Sequence, residues 1–101
     1  MLPTTIKIGA VPFAVNTDDH EQSNWGHIDY TTQTIKIASR LAPHSAAQTL
    51  MHEIIHGIEV HFEGNSGEHD ESKIQRLGNA ILLVLIDNPD LCRMIETLRP
   101  V

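Results

Sequence analysis

His52, Glu53 and His56 stand in the order His-Glu-x-x-His inside the run Gln48-Thr-Leu-Met-His-Glu-Ile-Ile-His56. Residues four apart on a helix are separated by about 40° around the axis and by one turn along it, so both imidazoles point the same way and can share one cation. Glu53 lies beside the pair, where a carboxylate can take a proton from a metal-bound water while staying outside the coordination shell. That chemistry is hydrolytic. Zinc lowers the pKa of its bound water from about 16 to about 7 and polarises an amide carbonyl with the same charge.

A catalytic zinc commonly takes three protein ligands and one water, so a third ligand must come from elsewhere in the chain. Glu71 is the preferred candidate, because it stands in the first turn of the next helical pattern. The face of that pattern bearing Ile74, Gly78, Ile81 and Leu85 is expected to meet the motif helix, with Gly78 permitting close approach. The plainer reading of Glu71 is that it joins Glu68 and Asp70 in favouring the positive end of a helix dipole. Gln75, one turn further, reads as a hydrogen-bonding partner or an exposed side chain. Glu59 follows His56 by three residues on an uninterrupted helix and points past a metal held there. His61 would need a helix break that Ile58-Glu59-Val60 does not supply, and so reads as surface.

The elements that must position these residues are legible in the periodicity. Leu50, Met51, Ile54, Ile55 and Ile58 recur at helical spacing behind Pro43, which suits a first helical turn, and the segment Ala46 to His61 contains no proline. A second helical pattern runs from about Asp70 to Asn88-Pro89 with Ile74, Leu77, Ile81, Leu82 and Leu85 on one side. A short helix follows over Asp90 to Leu98. Upstream, Thr5 to Ile8 alternates polar and apolar and Pro12 to Val15 forms a second short strand, with Asn16 to Asn24 read as a loop. His27 to Tyr30 and Thr34 to Ile37 alternate at period two around Thr31-Thr-Gln33, as a hairpin does.

Together these elements predict a single α+β domain over residues 1–101, with a small, mainly antiparallel sheet packed on two main helices plus a short C-terminal helix. The metal is expected between helix faces beside a sheet edge, with the Thr34 to Ile37 strand offering an edge to an extended peptide. Trp25 is expected in the core on account of its apolar bulk. Tyr30 reads as packing, with donation to an oxyanion as the sharper alternative. His20, His27, His44 and His69 stand singly in polar segments and read as solvated.

Composition narrows the function classes. Seven Lys and Arg against thirteen Asp and Glu give a formal charge of −6, which leaves no footprint for a phosphate backbone and argues against nucleic-acid binding. The apolar fraction of 41% is that of a folded globular chain. The longest apolar run, Ala80 to Ile86, is far short of the roughly 20 residues that cross a bilayer, so no membrane association is expected. A single cysteine, Cys92, and no secretory signal point to a reducing cytoplasmic setting.

With these residues assembled, the chain resembles a family of very small phage and prophage HExxH zinc metallopeptidase-like proteins, gluzincin-like and distantly of the ImmA/IrrE type. The likeness spans roughly residues 24 to 90. It rests on Gly26-His-Ile-Asp-Tyr30 with Gln33-Thr-Ile-Lys-Ile37, on the motif run Gln48 to His56, and on Leu77-Gly-Asn-Ala-Ile81 continuing to Asp87-Asn-Pro89. The resemblance implies a minimal zincin-like arrangement with a site in which His52, His56 and Glu71 hold Zn2+ and Glu53 acts as the base. One departure stands out: ImmA/IrrE-type sites place Asn or Asp four residues after the ligand glutamate, and Asn79 in that place would make Gln75 the ligand. The expected function is zinc-dependent hydrolysis of peptide bonds in a peptide or protein substrate. The alternative is a non-catalytic, zinc-stabilised protein-interaction module.

Overall fold

The computed structural model describes residues 2–18, 25–63 and 71–100, with the backbone alone at 62, 63, 71, 72 and 74. Four strands, β1 (Thr5–Ile8), β2 (Val11–Asp18), β3 (Gly26–Asp29) and β4 (Thr34–Ala38), precede helix α1 (Pro43–Ile58). A π-helical segment (Glu59–Glu63) continues α1, and α2 (Glu71–Asp87) and α3 (Pro89–Thr97) complete the chain. The result is the expected α+β arrangement, a small sheet packed on helices.

Strand order is β1-β2-β4-β3. The β1–β2 and β3–β4 pairs are antiparallel hairpins, whereas β2 and β4 run parallel, so the sheet is mixed. The parallel pair accounts for a difference from expectation. Asn16, Thr17 and Asp18, read as the start of a loop, extend β2 because their backbone pairs with Lys36, Ile37 and Ala38. Ladder hydrogen bonds outweigh the weak strand propensity of Asn and Asp there. The remainder of the expected loop, residues 19–24, lies outside the described residues.

Alternation decides which face of the sheet is dry. Ile6, Ile8, Phe13, Val15, Ile35 and Ile37 point to one face and are buried, while Thr5, Lys7, Pro12 and Ala14 on the other are exposed. All three helices contribute to the dry side. Leu50, Ile54 and Ile58 of α1 are fully buried, as their spacing predicts, and Met51 and Ile55 flank them half-buried. Ala80 and Val84 of α2 and Leu91 and Met94 of α3 close the core.

Two corrections concern α2. Leu82, grouped with the buried stripe by period, is 57% exposed. Gly78 is exposed, and a Cβ there would meet nothing within 4 Å among the described residues, so it is not a point of close helix approach. The close approach is at Gly57, immediately after the second histidine, where a Cβ would stand 2.6 Å from Ile8 Cδ1. α2 instead packs on the π-helical segment, β1 and α3 as well as on α1.

The α2–α3 junction is pinned to the sheet by Asn88. Its Oδ1 accepts from the Lys7 N–H at 2.8 Å, and its Nδ2 donates to the carbonyls of Lys7 at 2.9 Å and Val84 at 2.7 Å. One buried amide therefore acts as a strand partner for the outer edge of β1.

Candidate active site

Helix α1 starts at Pro43, whose fixed φ suits the first turn, and carries the motif on its last two turns. His52 and His56 are exposed, and their Nε2 atoms lie 3.1 Å apart with ring centroids at 4.7 Å. Two imidazole nitrogens on one tetrahedral zinc, each bonded at about 2.05 Å, are separated by about 3.3 Å, so the pair fits two adjacent ligand positions. The same separation lets one neutral ring donate to the other when no ion lies between them.

Glu53 sits one position round the helix and faces inward at 6% exposure. Its carboxylate makes no hydrogen bond with another described side chain, and it lines an open cleft of about 480 Å³ together with Trp25, Gly26, Gln48, Thr49 and His52. A carboxylate shielded from bulk water yet open to a cleft beside the histidine pair is placed to exchange protons with a bound molecule.

The far wall of this cleft is the N-terminal end of β3. Gly26 is required there, since a Cβ would lie 2.7 Å from the Lys36 carbonyl oxygen and 2.8 Å from Thr49 Cγ2. Trp25 is held by its carbonyl, which accepts from the Ala38 N–H at 2.7 Å, while its ring stays 53% exposed. The core placement expected for Trp25 is thus corrected: anchoring the backbone at the strand end leaves the indole over the cleft. The strand edge is corrected too. β4 lies between β2 and β3, so its edges are both paired, and the outer edge beside α1 belongs to β3, which pairs with no other described strand.

Tyr30, just past β3, packs edge-on against Phe13 at 6.2 Å and His61 at 6.0 Å, and those two rings meet at 5.9 Å. Burial, then the charges of Glu53 and of Glu59, hold its phenol above the ordinary range. The hydroxyl therefore stays protonated beyond the pH at which a free phenol ionises. The aromatic cluster follows from the passage from α to π winding after Ile58, which brings His61 against Phe13 and Tyr30. His61 is a surface residue, as expected, but a packed one.

Among the described residues, no third His, Cys, Asp or Glu joins His52 and His56 in a metal-binding group. Glu71 opens α2, and its side chain lies outside the described residues; Gln75 is exposed. Of the solitary histidines, His27 and His44 are exposed, and His20 and His69 lie outside the described residues.

Fold and site thus define an α+β protein with the HExxH residues on a helix that closes one side of a cleft, opposite the end of an edge strand. No protein-family model, curated protein or solved structure matches this chain.

Proposed function

We propose that this protein is a zinc-dependent metallopeptidase of the small phage and prophage type that residues 24–90 resemble. The observation that carries the reading is the pairing of the His52 and His56 Nε2 atoms at 3.1 Å with a Glu53 carboxylate facing the adjoining cleft. His52 and His56 would hold Zn2+, with Glu71 as the third ligand. When bound, the ion supplies an acidified water and a polarised carbonyl.

The chain's own groups do the rest. Glu53 accepts the proton of the attacking water and returns it to the leaving amine. The outer edge of β3 pairs with an extended peptide or protein substrate, and the exposed Trp25 ring flanks it. A reducing cytoplasm is the proposed location, supported by the unpaired, exposed Cys92. No helix among the described residues is long and apolar enough to cross a membrane.

The test is Glu53→Gln in zinc-loaded protein, assayed on an internally quenched peptide library. Loss of general base catalysis lowers the rate by roughly 10² to 10⁴, with zinc content and circular dichroism unchanged. Zinc-loaded wild type that cleaves no peptide would favour the non-catalytic, zinc-stabilised interaction module, and Glu53→Gln that cleaves as fast as wild type would remove Glu53 from the role of base.

A further inference from the structure

Strand β3 has a fixed hydrogen-bond phase. The Ala38 N–H donates to the Trp25 carbonyl at 2.7 Å, and the register goes on to pair His27 with Lys36 and Asp29 with Thr34. Bonded and non-bonded pairs alternate along an antiparallel ladder, so Trp25, His27 and Asp29 turn their backbone groups towards β4. Gly26 and Ile28 therefore turn theirs outward, a donor and an acceptor each, along the edge that no other described strand covers.

The way α1 lies on this strand gives the edge a direction. Thr49 meets Gly26 and Gly57 lies beside Ile28, so helix and strand advance in the same sense, with His52 and Glu53 between the two contacts. Trp25 and Gln48 stand upstream of His52, where they line the cleft with Gly26 and Thr49. A peptide laid antiparallel on β3 has its C-terminal part at this upstream end. Directly paired residues send their side chains to the same face, so the peptide residue opposite Gly26 points towards α1 and into the cleft. There it meets the indole of Trp25, which is 53% exposed and offers an aromatic ring a stacking or edge contact. The Glu53 carboxylate lines the same cleft, in a chain of charge −6, and opposes an acidic side chain there.

We propose that the cleft selects an extended peptide by an aromatic side chain opposite Gly26, seated against Trp25. The peptide backbone pairs antiparallel with Gly26 and Ile28, which puts that side chain on the C-terminal side of the bond beside His52 and Glu53. The inference rests on the peptidase reading of this site and adds its substrate preference.

Trp25 is the sole tryptophan of the chain, so its emission reports on the cleft. Zinc-loaded Glu53→Gln is titrated with end-blocked alanine peptides carrying one Phe, one Asp or neither. The Phe peptide should shift the emission to the blue and bind about tenfold more tightly than the all-alanine peptide, with the Asp peptide weakest. Calorimetry should find that preference lost in Trp25→Ala, with the circular dichroism spectrum unchanged, and mostly kept in Trp25→Phe. Wild type should cut the Phe peptide with Phe on the C-terminal side of the cleaved bond. Equal binding of the Phe and all-alanine peptides, a preference that survives Trp25→Ala, or Phe on the N-terminal side of the cut would overturn the proposal. Phe-selective binding without cleavage would count against the peptidase reading alone, and cleavage without any response of Trp25 would count against the proposal alone.

Discussion

Gly57 and Ile8 touch so closely that a Cβ on the glycine would lie 2.6 Å from the Ile8 Cδ1 atom. The residue after the second motif histidine therefore sets how deeply α1 settles on β1. Gly57→Ala adds helix propensity but forces the helix off the sheet or Ile8 out of its rotamer, a net loss of about 1 to 3 kcal/mol. Thermal unfolding of the variant should show a lowered midpoint, whereas an unchanged or raised one would mean that Ile8 yields without cost.

Asn88 offers a second stability test, at the opposite edge of the sheet. Asn88→Ala strips the Lys7 N–H and the carbonyls of Lys7 and Val84 of their side-chain partner. Leaving such groups unmet in a protected site costs about 2 to 4 kcal/mol. Urea unfolding measures the loss, and amide exchange at Lys7 should accelerate with it. Asn88→Asp keeps the acceptor but not the donor and should be only partly better.

Tyr30 is the sole tyrosine of the chain, so absorbance of the phenolate reports on it alone. Burial, then Glu53 and Glu59, raise its pKa, so the phenolate band should emerge at higher pH than in a free tyrosine. Glu53→Gln removes one of the opposing charges and moves the transition down. A group whose folded pKa is raised gives its full contribution to stability below the unfolded value, and the contribution is lost as pH rises through the folded one. Destabilisation linked to Tyr30 should therefore set in within the ordinary phenol range, continue above it, and be absent in Tyr30→Phe.

Asp29 works at the other end of the pH scale. The Thr31 hydroxyl donates to its Oδ1 at 2.6 Å, and the N–H groups of Thr32 and Thr31 donate at 3.2 and 2.9 Å, which lowers its pKa. Stability from a depressed carboxylate is present above the unfolded pKa and is lost as pH falls through the folded one. The β3–β4 turn, in which Gln33 adopts φ 53°, should begin to loosen as pH falls into the usual carboxylate range and lose the full contribution only below it. Amide exchange at Thr31 and Thr32 checks this, and Asp29→Asn should show the loosened turn already at neutral pH.

Periodicity carried much of the fold. The spacing of Leu50, Ile54 and Ile58 and the alternation of Thr34 to Ile37 each have one dry face, so local pattern and tertiary burial agree. The parallel pairing of β2 with β4 was not legible, because it joins segments distant in sequence and recruits polar residues Asn16 to Asp18 through backbone bonds alone. Trp25 shows the complementary limit. Its bulk suggests burial, but its position at a strand end, where Gly26 presses on Lys36 and Thr49, leaves the ring outside. At the site, helical geometry gave the histidine pair and a carboxylate beside it, whereas the burial of Glu53 came only with the packing of α1 on the sheet. The Tyr30, Phe13 and His61 cluster depends on a change of helical winding that no residue pattern announces.

The most direct measurement of the central claim is the zinc content of protein purified without a metal-affinity tag, for wild type, His56→Ala and Glu71→Ala. About one zinc per chain in wild type, lost in both variants while the circular dichroism spectrum persists, is the expected result. Wild type that holds no zinc even after the metal is added back would contradict the metallopeptidase reading, leaving His52 and His56 as a hydrogen-bonded surface pair.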